Sequence, residues 1–248
     1  MNITAKALSA GTLISLGANK IVMTKQAALG PIDPSINHPL NPLIPNAPHV
    51  KAPVSVEAIR GYLDAATELG IKDASSLTQI LVDLSNKVHP LVLGQIFRSR
   101  EQIRFLAKKL LKRQVEDEQK TKEIIDFLCA ESGSHDYTIN RREARDLGLN
   151  IENPSDELYG LLRKLHLSYV DELKLLEPYD PYSLLGANQT TDYALPRATI
   201  ESVKTGSHKF LSEGTLTKTA TQQVGPAGPF MQDMINDNRK FEGWRKTS

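Results

Sequence analysis

A mixed α/β fold, with helix expected to hold most of the residues, is predicted by three observations on this 248-residue sequence. Residues 3–23 read as strand, turn, helix, strand, which is how a parallel sheet with a crossover helix is written. Eight Gly and Pro residues, from Gly30 through Pro31, Pro34, Pro39, Pro42, Pro45 and Pro48 to Pro53, then break any regular element. From Ser55 to Val170 the apolar residues recur at helical spacing.

Each element has its own reason. Ile3 to Leu8 is a mixed apolar and small run suited to a strand. Ser9 can cap the helix Ala10 to Ala18, whose Leu13, Ile14 and Leu16 are expected inside, and Gly17-Ala18-Asn19 ends it. Lys20 to Met23 is a short strand built on Ile21 and Val22, and the Pro-dense interval 30–53 is expected to be a surface loop or arm. Ser55 caps a helix carrying Ala58, Ile59, Tyr62 and Leu63, which Gly70 stops. A longer pattern runs from Ser75 through Leu77, Ile80, Leu84, Leu91 and Ile103 to Leu111, with a kink expected at Pro90. A third helix spans about Lys120 to Ala130, Asn140 caps a short one from Arg141 to Leu147, and Ser155 or Asp156 opens a last one through Val170. Beyond about Leu184 the chain is polar, rich in Gly, Thr, Gln and Asn, and reads as a loosely ordered tail. The domain reading is therefore 1–182, made of 1–53, 54–130 and 131–182, followed by a tail 183–248.

Composition narrows the function classes. Thirty basic and 29 acidic residues leave a net charge of +1, so no global field points to nucleic acid or an anionic membrane. The basic run Lys108, Lys109, Lys112, Arg113 is answered by Glu116, Asp117 and Glu118 and reads as a solvated face. Cys129 stands alone, which excludes a disulfide framework and a multi-thiolate zinc site and makes a reducing, cytoplasmic compartment the natural one. The remaining histidines show no metal-ligand spacing, so neither a cofactor nor a metal site is read from the sequence. No apolar run reaches the roughly 18 residues needed to span a bilayer.

The chemistry-bearing stretch is Ser9-Ala10-Gly11-Thr12, followed by Leu29-Gly30-Pro31-Ile32-Asp33-Pro34. A serine at a strand-to-helix turn beside small residues has the setting of a nucleophile, which needs a base, a group that orients the base, and oxyanion donors. Read locally, Ser9 is equally a helix cap, Asp33 a turn former, and His135 a surface histidine in the loop Gly133-Ser134-His135-Asp136. Lys6 and Lys20 do not fall where the lysine of a Ser-Lys dyad is expected, and Cys129 on an apolar helix face reads as core.

Three ordered blocks tip the balance: residues 9–23 with 29–34, Lys87-Val88-His89-Pro90-Leu91, and Gly133-Ser134-His135-Asp136-Tyr137-Thr138-Ile139 with Glu143-Ala144 and Leu147-Gly148-Leu149. Together they resemble the serine dehydrogenase proteinase family, a branch of the Clp/crotonase superfamily distantly related to the Clp protease proteolytic subunit and signal peptide peptidase A. The resemblance covers roughly residues 3–175. It implies a partial Clp/crotonase-like fold of a few parallel strands with crossover helices plus a large helical segment. It also implies a serine peptidase acting through an acyl-serine intermediate, with Ser9 as nucleophile, His135 as base, Asp33 as its orienter and Asp136 as the substitute acid. Acid and base then stand exchanged relative to the Clp subunit, giving the chain order Ser, Asp, His. Such a fold carries several strands and a Gly-rich loop before its nucleophile. With Ser9 so near Met1, a domain lacking that part is expected, and the activity of this chain alone stays open. The implied partners are a peptide or protein substrate and further copies of the chain. Membrane association belongs only to a longer form with an anchor. The competing readings are a catalytically inactive fragment serving as an oligomerisation or scaffold protein and, further off, crotonase-type acyl-CoA chemistry.

Overall fold

The computed structural model describes residues 1–32, 35–45, 47–131, 136–225 and 228–247. Its secondary structure is mixed α/β, with eight helices among the described residues and 43% of the chain helical. Helix thus falls short of the majority that the sequence predicts, because the segment after Leu185 is strand. By packing, the chain divides into two units, residues 1–160 and 161–248, a boundary inside the last long helix where the sequence reading places it at 182.

Where the sequence predicts one strand over 3–8, the first unit begins with two, β1 (Asn2–Ile3) and β2 (Lys6–Ala7); helix α1 (Ala10–Leu16) and β3 (Ile21–Met23) follow as predicted, and then β4 (Ala28–Leu29). β1 lies parallel to β3 and β2 parallel to β4, so the single helix α1 is the crossover for two small sheets. On α1 the amphipathic reading is right for Leu16, which is fully buried, and wrong for Ile14, which is 65% exposed. The inward face of the helix instead carries Thr12 and Ser15. Gly17 ends α1 against α4, where a Cβ would stand 2.9 Å from Leu110 Cδ2.

The Pro-dense interval is not all loop. It holds β5 (Ser35–Ile36), β6 (Leu43–Ile44) and β7 (Ala47–Lys51), and β5 pairs antiparallel with β8 (Val54–Ser55) while β6 pairs with β7. These ladders have only two strands, so every strand is an edge and can carry a proline that donates no hydrogen bond. The buried Asn41 ties the segment together by donating its side-chain amide to the carbonyls of Ile36 and Ala52, at 2.6 and 2.9 Å.

The helices follow the predicted order. Ser55 caps α2 (Val56–Glu68), accepting from the Ala58 amide, and Gly70 at φ 89 supplies the left-handed turn that ends it. The long pattern, expected as one helix kinked at Pro90, is instead two helices, α3 (Ala74–Lys87) and α4 (Pro90–Leu111), with the His89 ring capping α4 by accepting from the Leu91 amide. α4 is about 33 Å long and joins two cores. Its first half sets Val92 and Ile96 among Ile36, Val54, Ile59 and Leu84. Its second half sets Ala107 and Leu111 against Ile3, Leu16, Ile21, Met23 and Leu29. α5 (Glu118–Asp126) runs into a π turn, Phe127–Glu131, that buries Leu128 and Cys129 in the same core. Asn140, in β9 (Ile139–Asn140), caps α6 (Arg141–Asp146) as expected, and Gly148 at φ 106 closes that helix. Its two closing bonds run from the amide of Leu149 to the Ala144 carbonyl and from that of Gly148 to the Arg145 carbonyl. β10 (Ile151–Glu152) then completes the parallel order β1-β3-β10, while β9 adds antiparallel to β4 to make β2-β4-β9.

The second unit contains most of α7 (Asp156–Glu172), a short α8 (Pro181–Leu185), and β11 (Thr190–Ser202), β12 (Gly206–Gly225) and β13 (Gly228–Lys246) in an antiparallel meander. The loosely ordered tail expected from the sequence is therefore corrected to a three-stranded sheet. Its charges are paired across strands, Arg245 with Glu213, Lys218 with Asp233 and Lys240 with Asp192, and Leu216 and Tyr193 pack on Leu185. Polar composition here marks cross-strand pairing between residues about 15 to 50 positions apart, which local periodicity cannot register. Pro196 is tolerated because β11 is an edge, and the register shifts beside it.

Candidate active site

Ser9 sits where β2 turns into α1, at φ 48 and ψ −107. Left-handed φ is rare for a residue with a Cβ, costs about 1–3 kcal/mol and persists only where the surroundings impose it. The residue holds the N-cap position, yet its hydroxyl makes no capping hydrogen bond. The half-buried side chain is thus turned away from the role that local sequence alone would give it. The turn is tied on both sides: the Gly11 amide donates to the Leu8 carbonyl at 2.8 Å and the Leu13 amide to the Ser9 carbonyl at 3.0 Å. Gly11 also lets the helix close over β2, since a Cβ there would stand 3.2 Å from that of Ala7.

Three residues on, the Thr12 hydroxyl lies fully buried between this turn and the end of β4. It accepts from the Gly30 amide at 3.1 Å and has the carbonyls of Ala7 and Gly30 each at 2.8 Å. Gly30 lies under the Leu8 side chain, whose Cδ2 a Cβ there would meet at 2.6 Å. Neither Thr12 nor Gly30 stands out by residue type in the sequence. The only available signal is their spacing, three residues after Ser9 and three before Asp33.

Asp33 and His135 lie outside the described residues, but the strands that lead to them do not. In the sheet β2-β4-β9, Ala7 stands beside Leu29 and Leu29 beside Ile139. One row thus contains a residue two before Ser9, one four before Asp33 and one four after His135. The Ile32 amide donates to the Leu128 carbonyl at 2.8 Å, tying the segment before Asp33 to the π turn that precedes residues 132–135. Asp136 is exposed, and next to it the Tyr137 hydroxyl donates to Glu143, which holds that phenol above its ordinary range.

The other candidates are occupied elsewhere. Lys20 is ion-paired with Glu152 at 2.5 Å across β3 and β10. The buried Cys129 thiol is pushed up to about 11, chiefly by loss of solvation, so it is a protonated core group at neutral pH. In the basic run that begins on α4, Lys108 pairs with Glu118 at 2.5 Å. No described helix is long and apolar enough to cross a membrane.

Ser9 thus stands on a strand-to-helix turn with positive φ, beside the parallel pair β2 and β4. The chain belongs to the ClpP-like SDH-type serine proteinase family, whose sequence pattern matches residues 2–173. Two uncharacterised proteins of Methanocaldococcus jannaschii are each 32% identical to it over 157 residues, 63% of this chain and 44% and 43% of theirs. The chain thus spans less than half the length of the curated relatives it matches. No solved structure matches it.

Proposed function

We propose that this chain is a peptidase that hydrolyses peptide bonds through an acyl-Ser9 intermediate, with His135 as general base, Asp33 as its orienter and Asp136 as the substitute acid. The observation that carries the reading is the Ser9 turn, whose left-handed backbone lifts the hydroxyl out of its capping position. Membership of a serine proteinase family supports the reaction class. The row Ala7, Leu29, Ile139 supports the choice of partners, because it sets side by side a residue two before Ser9, one four before Asp33 and one four after His135.

In this mechanism His135 takes the Ser9 proton as Oγ attacks the scissile carbonyl carbon, then returns it to the departing amine. Water, deprotonated by the same imidazole, attacks the acyl carbon, releases the new carboxylate and restores Ser9. The backbone N–H after a nucleophile commonly serves the oxyanion, and Ala10 holds that place. The substrate is a peptide or protein, and the chain works as a homo-oligomer. Exposed Leu91, Phe97 and Phe105 on α4 are apolar side chains available to such an assembly.

A fluorophosphonate probe tests the assignment. It is expected to modify Ser9, as read by peptide mass spectrometry, and to leave the Ser9→Ala chain unmodified. Modification that survives this substitution sinks the reading.

A further inference from the structure

We propose that Thr12 is the positioning residue of this site: its buried hydroxyl pins the Ser9 turn to the β4 end that leads into Asp33. The inference rests on Ser9 as nucleophile for its catalytic consequence and on the hydrogen bonds alone for the pin.

A threonine hydroxyl has one proton. With the Gly30 amide donating to it at 3.1 Å, that proton goes to one of two carbonyls, Ala7 or Gly30, each at 2.8 Å. The Ala7 carbonyl belongs to β2, two residues before Ser9, and both Gly30 groups lie at the exit of β4, three residues before Asp33. The hydroxyl is therefore shared between the two chain segments that carry the proposed nucleophile and the proposed acid. No water is needed to complete it, since the side chain is fully buried.

The pin accounts for the Ser9 backbone. A left-handed serine persists only where neighbouring contacts over-determine it. Here the constraints are the Gly11 and Leu13 amide bonds, the seating of Leu8 over Gly30, and Thr12. The amide bonds are local to the turn, and Leu8 is partly exposed. Thr12 ties the turn to the end of another strand by side-chain hydrogen bonds. Without its hydroxyl the turn can relax, and the Ser9 oxygen then moves relative to whatever orients it. Misplacement of a reacting group by about 1 Å can reduce rate by about a hundredfold.

Thr12→Val removes the hydroxyl at nearly constant shape, and Thr12→Ser restores it without the methyl. Two readouts separate the pin from the nucleophile. By amide hydrogen exchange, Thr12→Val is expected to lose protection at Gly30 and Gly11 while amides of β11 to β13 keep theirs, and Thr12→Ser to resemble the parent. By fluorophosphonate labelling, Thr12→Val is expected to modify Ser9 at least about tenfold more slowly, with Thr12→Ser near the parental rate. Retained Gly30 protection in Thr12→Val overturns the pin, as does a failure of that chain to fold, which would make the hydroxyl a support of the whole domain. Labelling slowed equally in both variants overturns the positioning role. A parental chain that the probe never modifies defeats the nucleophile reading instead, and the exchange result still decides the pin.

Discussion

Ser9 carries a conflict that a single substitution can measure. Its φ of 48 suits glycine, whereas any side chain beginning with Cβ is strained there. Ser9→Ala keeps the strain and loses the hydroxyl; Ser9→Gly loses both. Glycine gives back part of the gain through its freer unfolded chain, so Ser9→Gly is expected to exceed Ser9→Ala in stability by about 1 kcal/mol. Urea unfolding of the two variants checks this, and the opposite order would show a turn that is not strained.

At the scale of elements, α4 and α5 are joined by a partly buried ion pair, Arg104 with Asp126, to which Lys122 adds at 3.4 Å. The hydrogen bond from Arg104 holds the Asp126 carboxyl below its ordinary value, against the smaller opposing effect of burial. Because the folded value is the lower one, this stabilisation is complete above the unfolded carboxylate range, near pH 4. It is lost as pH falls through the depressed folded value. Asp126→Asn is therefore expected to lower stability by about 1–2 kcal/mol at pH 7. The deficit should shrink as the pH falls below about 4. Denaturation of both chains at pH 7 and in strong acid checks the sign. A deficit independent of pH would assign the effect to packing. The consequence reaches the site, since α5 continues into the π turn whose Leu128 carbonyl receives the Ile32 amide.

At the scale of the molecule, the two units can be followed separately because the lone Trp244 lies in β13, in edge contact with Phe210 at 5.6 Å. Gly214 sits at the register shift between β12 and β13, where a Cβ would stand 2.7 Å from the Asn238 carbonyl oxygen and 2.7 Å from the Tyr193 hydroxyl. Backbone cannot step aside as a side-chain tip can, so Gly214→Ala is expected to cost about 1–3 kcal/mol. The urea midpoint followed by Trp244 fluorescence should fall, while that followed by helical circular dichroism at 222 nm holds, because most helix lies in residues 1–160. An equal fall in both signals would mean that the units unfold as one.

The sequence by itself determined the elements whose causes are local. Ser55 and Asn140 cap the helices they precede, Gly70 ends α2, Pro90 marks where the long helical pattern changes direction, and a strand-helix-strand start is present, because each depends on residues within a turn or two. The family, too, was legible from ordered motifs. What only the tertiary structure decided depends on partners far along the chain. The long strands β11, β12 and β13 exist because segments distant in the chain pair backbone to backbone across the meander. The inward face of α1 takes Thr12 rather than Ile14 because buried carbonyls and an amide from two strands wait there to be satisfied. Ser9 looked like a helix cap locally; a fold that joins its turn to β4 left its hydroxyl uncapped.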